Sequence, residues 1–143
     1  MGQTPQHTYQ ILTKRAERMF EAMRSMVQTH GVLPNVWIGV SVEDANNIHR
    51  IEYLSDTRAA IRFISFEPLL GNVGNVNLSG IDWAIAGAES GHNARQMNEN
   101  WVRNIRDICQ RDHVAFFYKQ NLVNGKKKSL PMLDEVVWDE IPF

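Results

Sequence analysis

The stretch IDWAIAGAESGHNARQMNENWVRNIRDIC, residues 81–109, decides how the rest of the chain is read. It begins as an apolar strand, breaks at Gly87-Ala88-Glu89-Ser90-Gly91, and resumes as a helix. Trp101, Ile105, Ile108 and Cys109 fall on one stripe of that helix, at spacing i, i+4, i+7 and i+8. A strand running through a polar, glycine-bracketed turn into an amphipathic helix is a β-α unit, and glycines there permit close backbone approach to a ligand.

The same arrangement recurs outward in both directions. Residues 7–13 read as a strand and 14–29 as a helix carrying Met19, Phe20, Met23, Met26 and Val27, with Gly31 as its stop. In the strand 35–42, Ile38, Val40 and Val42 point to one side, the side expected to take helices, and Trp37, Gly39 and Ser41 to the other. Asp44 can cap a short helix over 45–56. A third strand, 59–67, halts at Pro68 and leads into a Gly/Asn-rich connection, 71–80, too broken for a regular helix. The strand 82–88, the helix 98–112 and the strand 114–120 complete the pattern.

Strands separated by helices imply right-handed crossovers and a mainly parallel sheet. The expectation is one α/β domain over residues 1–143 with a five-stranded sheet, either a partial β/α barrel or an open doubly wound sheet. Residues 121–143 form a tail on or near that sheet. Both architectures place ligands at the carboxyl ends of the strands.

The strand exits are Thr13-Lys14-Arg15, Ser41-Val42-Glu43-Asp44, Glu67-Pro68, Glu89-Ser90 and Lys119-Gln120, each charged or hydroxylic. Any one of them fits a helix cap or a solvated surface charge. Five on one edge point to a shared pocket. Glu43, Glu67 and Glu89 could accept from an amine or hydroxyl, act as acid or base, or bind a hard cation. Lys14, Arg15, Arg95 and Lys119 could pair with carboxylate or phosphate.

Other chemistries find less footing. The turn at 87–91 matches neither the dinucleotide fingerprint nor the Walker pattern, and Ser90, though followed by Gly91, lacks the glycine two residues before it that a nucleophile elbow requires. His7, His30, His49, His92 and His113 show no ligand spacing, so no metal site is expected. Cys109, the single cysteine, can form no internal disulfide and reads as a packing residue. A net charge of −1 gives no overall cationic field, and only Lys126-Lys127-Lys128 is locally basic. With 43% hydrophobic residues but no long apolar run, neither a membrane span nor a secretory signal is visible, and the expected location is cytoplasmic.

Five stretches in order, YQILTKRAERM (9–19), NVWIGVSVED (35–44), RFISFEPLLG (62–71), IDWAIAGAESGHNARQM (81–97) and FFYKQ (116–120), carry a resemblance. They resemble the C-terminal part of the phage-associated gp thirty-seven/gp sixty-eight family of unknown function, whose complete members look like radical S-adenosylmethionine enzymes. That resemblance implies a partial β/α barrel and makes S-adenosylmethionine a possible ligand. Its elements fall on Thr13, Lys14, Arg15, Ser41, Glu43, Asp44, Glu67, Glu89, Ser90, Arg95, Lys119 and Gln120. The chain departs from the family pattern at Ala16, Phe66, Ala88 and Gln96. It also lacks the three-cysteine loop, so a [4Fe–4S] cluster would need cysteines from another polypeptide.

The expectation is therefore a truncated relative with a polar pocket and no catalysis of its own. Half of a split radical enzyme and a small-ligand or nucleic-acid binding module are the alternatives. An unpaired strand at the start of a sheet calls for cover, so a homodimer or a partner chain is expected there.

Overall fold

The computed structural model describes residues 1–142. Strands β1 (Tyr9–Thr13), β2 (Val36–Ser41), β3 (Ile61–Phe66), β4 (Trp83–Gly87) and β5 (Ala115–Val123) lie side by side in chain order, each parallel to the next. Three helices intervene: α1 (Ala16–His30), α2 (His49–Ser55) and α3 (Glu99–Asp112). Strand β6 (Lys126–Ser129) then turns back antiparallel onto β5. The sheet is thus six-stranded and mixed, curled into a half-barrel, which corrects the expectation of five parallel strands.

The correction has a local cause. Asn124 and Gly125 both have positive φ, 52° and 72°, and Val123 pairs with Lys126 across them. Asn-Gly with both residues left-handed is the two-residue hairpin turn whose twist matches that of the flanking strands. It forces the chain straight back, so three consecutive lysines of low strand propensity become a strand.

Helices occupy one face only. Ile38, Val40, Ile64, Phe66, Ala84, Ala86, Phe116 and Tyr118 point outward into one apolar cluster with Met19, Met23 and Val27 of α1, Ile51 and Leu54 of α2, and Val102, Ile105, Ile108 and Cys109 of α3. The opposite, concave face holds Trp37, Phe63, Trp83 and Ile85, packed with Ile61, Ala115 and Phe117. No helix contributes to that second cluster, which sets aside the doubly wound alternative. Gly39 is required there, because a Cβ would sit 2.5 Å from the Phe63 ring.

Element boundaries shift from the expected ones for physical reasons. The first strand starts at Tyr9, since residues 1–7 form turns tied down by Asn35, whose side chain donates to the carbonyls of Met1, Thr4 and His7. The segment 45–56 divides into a 3-10 turn capped by Asp44 and the seven-residue α2. Between β3 and β4 no helix forms, and Val73, Val76 and Leu78 fill the helix's place in the core. On α3, Val102 is buried while Trp101 is only half-buried, so Trp101 is not the anchor its spacing suggested.

The tail packs on the free edge of β5. Tyr118 donates its backbone N–H to Trp138 O at 2.8 Å, Glu140 N–H reaches Phe116 O at 3.1 Å, and the Trp83 indole donates to Glu140 O at 2.8 Å. A small hairpin, β7 (Met132–Leu133) and β8 (Val136–Val137), precedes that edge contact. The last residue of the expected tail, Phe143, lies outside the described residues.

Candidate functional site

At the carboxyl ends of β3, β4 and β5 the concave face turns from aromatic to polar. Ser65 and Phe63 lie on the same side of β3, and Glu67 follows Ser65 by two residues as the strand ends. Glu67 Oε2 accepts from Ser65 Oγ at 3.1 Å, and Lys119 Nζ lies 3.2 Å from Oε1 and 3.3 Å from Oε2. The carboxylate lies directly over Gly87. A Cβ on that residue would come within 2.5 Å of Glu67 Oε1 and 3.1 Å of Cγ and Cδ. A glycine at this point of β4 is therefore what leaves room for the Glu67 side chain.

Lys119 owes its position to an irregularity. Ala86 pairs with Tyr118 but Gly87 pairs with Gln120, so β5 carries one extra residue opposite β4. Such a bulge re-aims a side chain, and here the residue it sets free from the ladder is Lys119. The expected exit at Lys119-Gln120 is therefore a bulge within β5, which runs on to Val123. Gln120 is buried and donates from Nε2 to Ala88 O at 2.7 Å, while its own carbonyl takes the Ala88 N–H. Its side chain holds the turn after β4 rather than facing the pocket freely.

Glu89 is held by one arginine. Its Oε2 accepts from the Arg95 backbone N–H and from Nε, both at 2.9 Å, and Oε1 accepts from Nη2 at 2.6 Å. The side-chain hydrogen bonds of Arg95 come first, and its backbone N–H second, in holding the Glu89 carboxyl down at about 2. The pair closes the loop 89–95 on itself, so Arg95 has its charge committed within the loop. Ser90 follows at the rim.

These groups enclose a cavity of about 480 Å³ lined by Leu12, Ser65, Glu67, Pro68, Ala88, Glu89, Ser90, Lys119, Gln120 and Lys127. Of the residues singled out in the sequence, Glu67, Glu89, Ser90, Lys119 and Gln120 converge on it. A second group gathers elsewhere. Glu43 pairs with Lys14 and, at 2.9 Å, with Arg50 Nη1, which also donates to Ser41 O at 2.7 Å. Burial raises the Glu43 pKa, yet Lys14, its own backbone amide and Arg50 together bring it below the ordinary carboxylate value. This cluster ties the β1–α1 and β2–α2 turns together. Ser41 is buried beside Ser65 in the register, and Arg15, the residue just before α1, stands exposed.

Ser65 and Arg50 were not singled out, and Lys127 was noted only as part of a basic run, not as a pocket residue. Ser65 lies inside the third strand, whereas the candidate residues were taken from the strand exits. Lys127 was recoverable from Asn124-Gly125, the hairpin signal that brings the lysine run back beside the strand ends. Among the described residues no group of three or more His, Cys, Asp and Glu side chains is placed to hold a metal ion, and no helix is long and apolar enough to cross a membrane.

A half-barrel of β/α units with its polar pocket at the strand carboxyl ends is the class of protein that fold and site define. Over residues 1–142 the chain matches the family described as Protein of unknown function (DUF5131), and it belongs to that family. No curated protein and no solved structure matches it.

Proposed function

We propose that the half-barrel binds a small zwitterionic ligand of the amino-acid type at its strand ends and performs no chemistry on it alone. The observation that carries this reading is the Glu67–Lys119 pair laid over Gly87. A carboxylate and an ammonium group side by side match the amine and carboxylate of such a ligand, and charge-assisted hydrogen bonds of this kind are the strong ones. Ser65 and Ser90 add hydroxyls for its remaining polar atoms.

S-adenosylmethionine is the ligand of this class to which the sequence resemblance to a phage-associated, radical-enzyme-like family points. An iron–sulfur cluster does not fit the residues present. It needs several thiolates, and the one cysteine, Cys109, is buried on the helix-bearing face with its thiol pushed up to about 12, by burial first and then by Glu140 and Asp112. No step is therefore derived through a cluster. A radical reaction at this pocket would require a separate polypeptide carrying the cysteines.

A second reading rests on β6, where Lys126, Lys127 and Lys128 are all exposed and Lys127 reaches the cavity rim. That strip would favour an anionic ligand or nucleic acid. It predicts an oligonucleotide affinity that falls steeply with salt and collapses when the three lysines are neutralised.

Isothermal titration with S-adenosylmethionine tests the first reading. Saturable binding weakened about tenfold or more by Glu67→Gln, in a variant with unchanged melting temperature, is the expected result. Absence of binding at millimolar ligand, or wild-type affinity in Glu67→Gln, refutes it.

A further inference from the structure

Among the described residues, half of the large apolar side chains that stand exposed are concentrated in residues 130–141: Leu130, Met132, Val136, Val137 and Ile141. A two-residue-per-strand hairpin has no stability of its own, so it must be held from outside. Leu133 anchors it at 1% exposure, and Asp134 grips Arg103 Nε at 2.9 Å and Arg106 Nη1 at 2.5 Å on α3. The hairpin is thus presented as a fixed apolar knob. With Asp134 committed to those two arginines, the charge left over is acidic, since residues 130–142 also contain Glu135, Asp139 and Glu140 and no lysine or arginine.

A matching hollow lies at the opposite end of the sheet. Strand β1 is the first in the order and pairs only with β2, which leaves its outer edge without a strand. Along that edge runs a groove of about 420 Å³ whose apolar wall includes Ile11, Met19, Met23 and Met26, with Arg15 and Arg18 at its rim. Methionines adapt their shape to an incoming apolar surface. The rim is basic where the hairpin is acidic.

We propose that the C-terminal hairpin of one copy seats in the β1–α1 groove of a second copy, joining half-barrels head to tail. The occupant is fixed by charge and polarity together, an acidic apolar knob against a basic-rimmed apolar groove. Because the two surfaces lie at opposite ends of one sheet, the contact is heterologous and each copy keeps one free knob and one free groove, so association continues past a dimer into rings or chains. This inference stands independently of the pocket's ligand.

Sedimentation velocity across a wide concentration range tests it with two variants, each checked for folding by circular dichroism. Glu135→Lys/Val137→Lys spoils the knob and Arg15→Glu/Arg18→Glu spoils the groove, all at exposed positions. Wild type should grow beyond a dimer with concentration, and each variant alone should stay monomeric. Their equimolar mixture should form a heterodimer and stop there, because only one intact knob and one intact groove remain. A wild-type chain monomeric up to near-millimolar concentration overturns the proposal, as do a variant that still self-associates and a mixture of folded variants that does not pair. Met132→Lys, at 57% exposure, serves as a second knob variant should the first disturb the hairpin.

Discussion

Two glycines on the concave face, Gly39 and Gly87, should respond oppositely to the same added methyl group. At each, an ideal Cβ meets a neighbour at 2.5 Å, and neither has a positive φ, so no backbone strain enters. At Gly39 the neighbour is the Phe63 ring, 3% exposed and packed 6.0 Å from the Trp83 ring. That ring has nowhere to go. Overpacking of this kind costs about 1–3 kcal/mol, and Gly39→Ala should lower the melting temperature by roughly 5 °C or more. At Gly87 the neighbour is the end of the Glu67 side chain, beside an open cavity. Displacing it sacrifices the Ser65 hydrogen bond and the half-exposed Lys119 pair, together about 1 kcal/mol. Alanine in a strand returns about 0.5–1 kcal/mol of backbone entropy, so Gly87→Ala should be near neutral in stability. Its expected effect is on ligand titration, where affinity should fall about tenfold as the carboxylate leaves its place. Parallel thermal melts and titrations separate the two cases. A Gly87→Ala chain less stable than Gly39→Ala, or one that binds as wild type does, refutes the reasoning.

Three further outcomes can be checked directly. Ile105→Ala, at a fully buried position on α3, should cost about 2–5 kcal/mol in chemical denaturation, and Trp101→Ala less than a fully buried tryptophan would, because that side chain is only partly buried against the core. Cys109 should resist thiol reagents in the native state near neutral pH and react stoichiometrically once the chain is unfolded, as its burial and raised pKa require. Glu89, whose folded pKa lies below the ordinary 4.5, contributes loop stability that is fully present above 4.5 and lost as pH falls through about 2. Carboxyl NMR should find its titration midpoint near the lower value, and a midpoint near 4.5 would break the Arg95 clamp.

The β-α alternation was legible because period-2 and period-3.6 apolar patterns report which face meets a core. Ile38 and Val40 against Trp37 and Gly39 is the clearest case, and the two faces they define are the two clusters in the structure. Polarity at strand ends was likewise visible as a series. What periodicity cannot register is a strand made by its turn, as in β6, where Asn124-Gly125 governs and the lysines follow. Nor does spacing tell a residue facing a cavity from one spent on its neighbours. Glu43 and Glu67 look alike in sequence, but Glu43 is enclosed between Lys14 and Arg50, whereas Glu67 stands over an empty Cα. The extra residue in β5 was invisible too, since a bulge depends on what lies across the ladder.

Strands β1 to β5 stand in the sheet in the same order as in the chain, and this bears on how the protein can be built. Each strand needs only the one before it, a single crossover away, so every ring of chain that must close is short and its entropic penalty modest. No later segment has to be threaded between earlier ones. A sheet assembled by such accretion can grow unit by unit during synthesis, and it can accept another β-α unit beside β1 without any existing pair of strands being parted.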